Sequence, residues 1–153
     1  MSQIKNAQQD CFICRKHQGE IKIPGGAIYE DDLIYVGHAM PVKGTAYIGY
    51  IFIDLKRHVK GLDEMKDEEA SLIGIMAKKL SKALKDCLNA EHVYLFSLVD
   101  YVPHFHLHVV PRYINTPEEY WGTDIMNWSD APQGDSTEIE EVCIKIRNYI
   151  KEL

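Results

Sequence analysis

Three histidines occupy every second position of the segment VPHFHLHVVPR, residues 102–112: His104, His106 and His108. A period of two among apolar residues marks a strand, whose side chains point to opposite faces in turn. Val102, His104, His106, His108 and Val110 then share one face. Phe105, Leu107 and Val109 share the other, which reads as the core side. Each imidazole carries two polar nitrogens that are costly to bury unpaired. The fold must therefore supply partners, or a function, along the whole histidine row.

The rest of the chain supplies a sheet for this strand. PGGAIYEDDLIYVGHAM, residues 24–40, reads as two short strands around Glu30-Asp31-Asp32, entered by a Pro-Gly-Gly turn. TAYIGYIFID, residues 45–54, reads as a third strand, HVYLFSLV as a fourth and the histidine segment as a fifth. Asp67 is placed to cap a long helix that runs to Leu88 and stops at Asn89. Ile73, Met76, Leu80, Leu84 and Cys87 form its apolar stripe. A final helix is expected over about 137–151. This pattern predicts an α+β domain with an antiparallel sheet of about five strands, one long helix and a C-terminal helix. At 153 residues the chain reads as a single domain (1–153), its C-terminal loop and helix beginning near residue 113.

Charge and hydropathy narrow the function classes. A net charge of −6 argues against an extended nucleic-acid surface, though not against one local nucleotide pocket. Lys78, Lys79, Lys82 and Lys85 recur at helical spacing and read as a solvated helix face. No run approaches the length of a membrane span, and the N-terminal residues lack the apolar core of a signal peptide, so a cytoplasmic location is expected. The irregular segment between the fifth strand and the last helix carries Tyr120, Trp121 and Trp128, either as a functional loop or as anchors that pin it to the body.

Cys11 and Cys14 form a C-x2-C pair, which in a reducing compartment favours metal binding or redox chemistry over a structural disulfide. The redox reading requires a preceding strand, and none is expected here, so zinc is favoured. A structural zinc takes four ligands, leaving His17, His58 and one member of the triad as the means of completing the set. The Cα atoms of His104 and His108 should lie about 13 Å apart, so one ion cannot hold both ends of the row. Cys87 and Cys143 fall within predicted helices and read as core.

The pattern HFHLHVV resembles the motif His-x-His-x-His followed by two apolar residues, for which the histidine triad (HIT) family of nucleotide hydrolases and transferases is named. CFIC is similar to the N-terminal metal pair of its zinc-containing members. GYIFIDLKRH resembles the family's glycine-histidine strand, and TPEEYWG with NWSDAP the tail of a bacterial branch. The resemblance covers about residues 10–135. It implies a usually homodimeric HIT-like fold that cleaves a nucleoside 5′-phosphate linkage at the α-phosphorus. His106 would be the nucleophile, forming a nucleotidyl-histidine that water hydrolyses, and His108 would contact the phosphate oxygens. The same resemblance assigns a structural zinc to Cys11, Cys14, His58 and His104, leaves His17 on the surface, and offers Phe12 and Ile13 as either a purine slot or simple core.

Three positions depart from that pattern. Tyr50 stands where the family's strand carries a histidine that supports the nucleophile, Asp100 where a polar, often amide, residue precedes the triad, and His38 at the acidic or amide ribose-binding position. The resemblance implies a dinucleoside polyphosphate or a nucleoside phosphoramidate as substrate, and these departures keep the preference between them from being carried over from better-known branches. The alternatives are a nucleotide-binding module with little turnover, and a catalytic metal on the histidine row.

Overall fold

The computed structural model describes residues 10–153; the N-terminal leader reading concerns residues 1–9 and lies outside them. The elements run α1 (Phe12–His17), β1 (Ala27–Glu30), β2 (Ile34–His38), β3 (Ala46–Tyr47), β4 (Ile51–Leu55), α2 (Asp67–Leu88), β5 (Ala90–Phe96), β6 (His106–Tyr113), β7 (Gln133–Gly134) and α3 (Ser136–Lys151). The main sheet is antiparallel, five-stranded and ordered β1-β2-β4-β6-β5, as the α+β reading predicts.

Local chemistry sets the turns and ends. Asp31 closes the β1–β2 hairpin by accepting the backbone N–H groups of Leu33 and Ile34 at 2.7 and 2.9 Å. Helix α2 stops at Asn89, whose φ of 59° is left-handed, an arrangement asparagine tolerates. Its start differs from expectation: Lys66 is the capping position and Asp67 the first helical residue. Glu69 does the capping by accepting the Lys66 N–H at 2.8 Å, while its carboxylate also pairs with Arg57.

Residues 45–54 do not form one strand. Gly49, at φ 84°, breaks them into β3, which pairs with β7 in a separate two-stranded sheet, and β4, which enters the main one. A Cβ at Gly49 would lie 2.8 Å from the Tyr113 hydroxyl, so a side chain is excluded by sterics as well as by backbone conformation.

The alternation sorts the sheet into two unlike faces. Ile51, Ile53 and Leu55 of β4 and Val109 of β6 join Ile73, Leu80 and Leu84 of α2 and Ile139 and Ile146 of α3 in the main core. Each large aliphatic side chain fully buried there contributes about 1.5–3 kcal/mol. Cys143 is part of this core, whereas Cys87 is only half-buried. Lys78, Lys82 and Lys85 are exposed, as a solvated helix face requires. On the opposite face, Phe52 and Asp54 of β4 lie beside His108 and His106 of β6. That is the face the histidine row needs.

The triad segment is shorter as a strand than its period implies. β6 begins at His106, and His104 lies before it. The predicted sidedness nonetheless holds: Phe105 and Val109 are in the main core with Leu107 packed against it, and Val110 joins a second cluster with Tyr47, Tyr50 and Ile125.

Candidate active site and metal centre

His104 leaves the sheet to meet α1. Its Nε2 donates to the Leu55 carbonyl at 2.5 Å, and since a carbonyl can only accept, the Nδ1 lone pair is left free. That nitrogen lies 3.5 Å from both Cys11 Sγ and Cys14 Sγ and 3.1 Å from His58 Nδ1. Cys14 Sγ is 3.3 Å from the same His58 nitrogen. One atom from each of these four residues falls within 4.8 Å of all the others, a cluster able to hold a metal ion. A tetrahedral zinc with ordinary bond lengths separates two nitrogens by about 3.3 Å and a nitrogen from a sulfur by about 3.5 Å. The spacing fits. Burial, then Cys11, pushes the Cys14 thiol up to about 12, so without a cation Cys14 resists becoming a thiolate. Burial likewise lowers His104 to about 4, keeping it in the neutral form a ligand requires.

His106 and His108 use their nitrogens differently. His106 Nδ1 donates to the His104 carbonyl at 2.7 Å, which leaves Nε2 unprotonated. His108 Nδ1 lies 2.6 Å from the Tyr50 hydroxyl. Burial pushes the Tyr50 phenol up to about 12, so the hydroxyl keeps its proton, and having no other acceptor among the described residues it donates to that nitrogen. The ring proton of His108 then sits on Nε2, which is buried and has no partner among the described residues. Burial first, then the neighbouring His106, lowers His108 to about 4, keeping it neutral near pH 7. The row thus presents a free lone pair next to a free N–H.

Both imidazoles line a cavity of about 250 Å³, together with Phe12, Ile13, Phe52 and Val102. Phe12 is exposed at its wall, while Ile13 is buried with Cys11, Cys14 and Val102, so the two residues of the slot divide between surface and core. A second cleft of about 430 Å³ shares Phe12, Lys16 and Phe52 and is lined further by His38, Tyr50 and Trp128.

Residues that sequence reasoning did not single out stand at the junction. Asp54, directly opposite His106 in the β4–β6 register, is 1% exposed. Lys16, itself buried, pairs with its Oδ2, and His17 Nε2 reaches the same oxygen at 3.2 Å. Burial pushes the Asp54 carboxyl up, but the His17 hydrogen bond and the Lys16 charge outweigh it and hold it below the usual carboxylate range. The placement of His17 on the surface is therefore corrected: its side chain is 8% exposed and its ring packs edge-on against His104. A carboxylate needs partners inside an apolar strand, and α1 folds over the sheet to provide them. The signal was available in Ile-Phe-Ile-Asp-Leu, where one acid interrupts a buried run.

The remaining predicted positions are less direct. His38 is buried and has both nitrogens committed, Nδ1 donating to the Ala39 carbonyl at 2.8 Å and Nε2 accepting the Gly49 N–H at 2.9 Å. It has no nitrogen left for a ribose. Asp100 is exposed at the rim of the first cavity. Trp121 stacks on the Arg112 guanidinium, 3.8 Å from its ring centre, and pins the long loop to β6, whereas Trp128 both packs on the second cluster and lines the second cleft. Among the described residues no helix is long and apolar enough to cross a membrane.

Comparison with known proteins agrees with this geometry. A HIT domain family model matches residues 20–115. An uncharacterized HIT-like protein of Borreliella burgdorferi is 28% identical over 113 residues, 69% of this chain and 78% of that one. The crystal structure of a hypothetical histidine triad nucleotide-binding protein from Sulfolobus tokodaii superposes with a TM-score of 0.70 at 18% identity, covering 94% of this chain and 93% of that one. A zinc-bound histidine triad family protein from Mycobacterium smegmatis gives 0.67 at 19% identity, with 95% and 96% covered. At these identities the two structures speak for the fold, while the family model spans more than half of the sequence and includes the whole histidine row. The chain belongs to the HIT domain family.

Proposed function

We propose that this protein is a nucleotide hydrolase or nucleotidyl transferase that cleaves at the α-phosphate of a dinucleoside polyphosphate or a nucleoside phosphoramidate. The observation that carries the reading is the pairing of the unprotonated His106 Nε2 with the unpartnered Nε2–H of His108. The His106 lone pair attacks the α-phosphorus, forming an N–P bond as the leaving group departs with the electron pair of its bond to phosphorus. The His108 N–H donates to the phosphoryl oxygens as their charge grows, in a site where little water competes. An amine leaving group takes up a proton as it departs; water then attacks the same phosphorus, releasing a proton, the N–P bond breaks, and its electron pair returns to His106. Phe12 and Ile13 line the base side, Tyr50 orients His108, and His38 and Asp100 border the substrate.

Cys11, Cys14, His58 and His104 fit zinc by donor type and spacing. A bound zinc would tie α1 to the segment entering the triad strand, a structural contribution. A homodimer, expected from the family resemblance, and a cytoplasmic location, expected from hydropathy, complete the reading.

The test is hydrolysis of diadenosine tri- and tetraphosphate and adenosine phosphoramidate by the wild type and His106→Ala. Turnover that falls by roughly 10³-fold or more in the variant is expected for loss of a nucleophile. A nucleotidyl adduct on His106, seen by mass spectrometry after an acid quench, is the second expected result. Equal turnover in both proteins would overturn the reading. Tight AMP binding without turnover of any substrate would recast the protein as a nucleotide-binding module.

A further inference from the structure

Asp54 is the least expected group in the first cavity. The carboxylate lines the same space as His106 and His108, yet Lys16 and His17 both engage Oδ2. Oδ1 is buried and has no hydrogen-bond partner among the described residues. A bare carboxylate oxygen away from water is costly, and native structures rarely tolerate one without a reason. Lys16 lines this cavity too, so a strong acceptor and a strong donor stand side by side. Around them the walls are apolar and aromatic, formed by Phe12, Ile13, Phe52 and Val102. Such walls suit a flat heterocycle, and the acid disfavours a phosphate at the same point.

Building on the nucleotide reading above, we infer that Lys16 and Asp54 form a base-reading pair that selects nucleotides whose base offers an N–H donor beside a ring acceptor or carbonyl. Asp54 Oδ1 accepts the donor, an exocyclic amino group or a ring N–H, and the Lys16 ammonium donates to the adjacent acceptor. The pair determines specificity and takes no part in bond making. A purely apolar slot holds any purine of the right shape. A slot with a buried acceptor rejects the analogue that leaves this acceptor unpaired, because the cost of the bare oxygen then persists in the complex.

The experiment is calorimetry on the zinc-loaded chain with AMP, GMP and purine riboside 5′-monophosphate, which keeps the ring shape but carries no N–H on the base. The wild type is expected to bind AMP or GMP roughly 10- to 100-fold more tightly than the analogue, the range for one good bidentate contact. The double variant Lys16→Met, Asp54→Leu replaces the ion pair by apolar groups of similar size and should bind all three alike. Asp54→Asn preserves the packing. Its amide is expected to turn its oxygen toward Lys16 and present an NH2 group, moving preference toward the acceptor-only analogue. Equal wild-type affinities for the three nucleotides overturn the inference, as does a preference that survives in both variants. Failure of the wild type to bind any nucleotide removes the nucleotide reading itself, and this inference with it.

Discussion

At the scale of single residues, the site works by fixing which nitrogen of each imidazole carries the proton. Three histidines of one chemistry serve three ends because each has a different neighbour: a carbonyl for His104 Nε2, a carbonyl for His106 Nδ1, a phenol for His108 Nδ1. Tyr50→Phe removes the last of these and frees His108 to take the other tautomer. Turnover should fall by about 10-fold, in the range of a lost orienting hydrogen bond, with KM nearly unchanged and the melting temperature lower by a few degrees because a buried nitrogen loses its partner. Steady-state kinetics checks this, and an unchanged kcat would show that the phenol does not set the tautomer. His108 also links stability to pH. Its pKa drops from 6.5 to about 4 on folding, so between those values the unfolded chain takes up a proton that the native state refuses. The contribution is complete above pH 6.5 and is lost as pH falls toward 4. Urea midpoints at pH 7 and pH 5 should therefore converge in His108→Gln relative to the wild type.

At the scale of elements, two short pieces matter most: the break at Gly49 and the six-residue helix α1. The break turns the chain from the β3–β7 pair into β4 and supplies the N–H that fixes His38. Gly49→Ala places a Cβ in a left-handed residue and against Tyr113, Leu88 and Pro111, at 2.8–3.0 Å. The expected loss is about 1–3 kcal/mol, seen as a lower urea midpoint with an unchanged slope. Helix α1 is too short to hold itself together. It carries two of the four metal-cluster residues at its start and Lys16 and His17 at its end, so its position is set by side chains that reach the sheet. Val99, on the loop between β5 and the triad segment, has φ 57°, a conformation that is strained for a β-branched residue, and it stands at the wall of the first cavity.

At the scale of the molecule, the sheet separates two kinds of burial. One face is aliphatic and is covered by α2 and α3. The other meets α1 at one end and the loop residues Ile125 and Trp128 at the other, and it carries the imidazoles and the Asp54 ion pair. The main core should therefore survive loss of the metal cluster, while the histidine face should not. On the zinc reading proposed above, Cys11→Ser, Cys14→Ser is expected to carry no zinc by elemental analysis where the wild type carries one equivalent, to melt several degrees lower and to lose any nucleotide affinity the wild type has, as Phe12 and Lys16 lose their anchor. Metal retained at full occupancy after both substitutions would point instead to a site on His106 and His108.

The sequence by itself determined most of the strands and helices, the sidedness of the histidine row and Cys11 and Cys14 as metal donors. These follow from local periodicity and from donor types that have few uses other than metal binding. Cys11 and Cys14 were legible as a pair because their spacing is short, whereas the length of the row allows an ion only one of its ends and the family resemblance named His104 and His58. Only the tertiary structure decided what lies across the sheet. That Asp54 faces His106, that Lys16 and His17 fold down onto it from 37 or more residues away, and that His38 is fully committed to backbone are facts of strand register and helix docking. Register depends on which strands pair, which no local pattern states. A buried acid in a strand announces that it needs partners, but the chain must fold before it finds them.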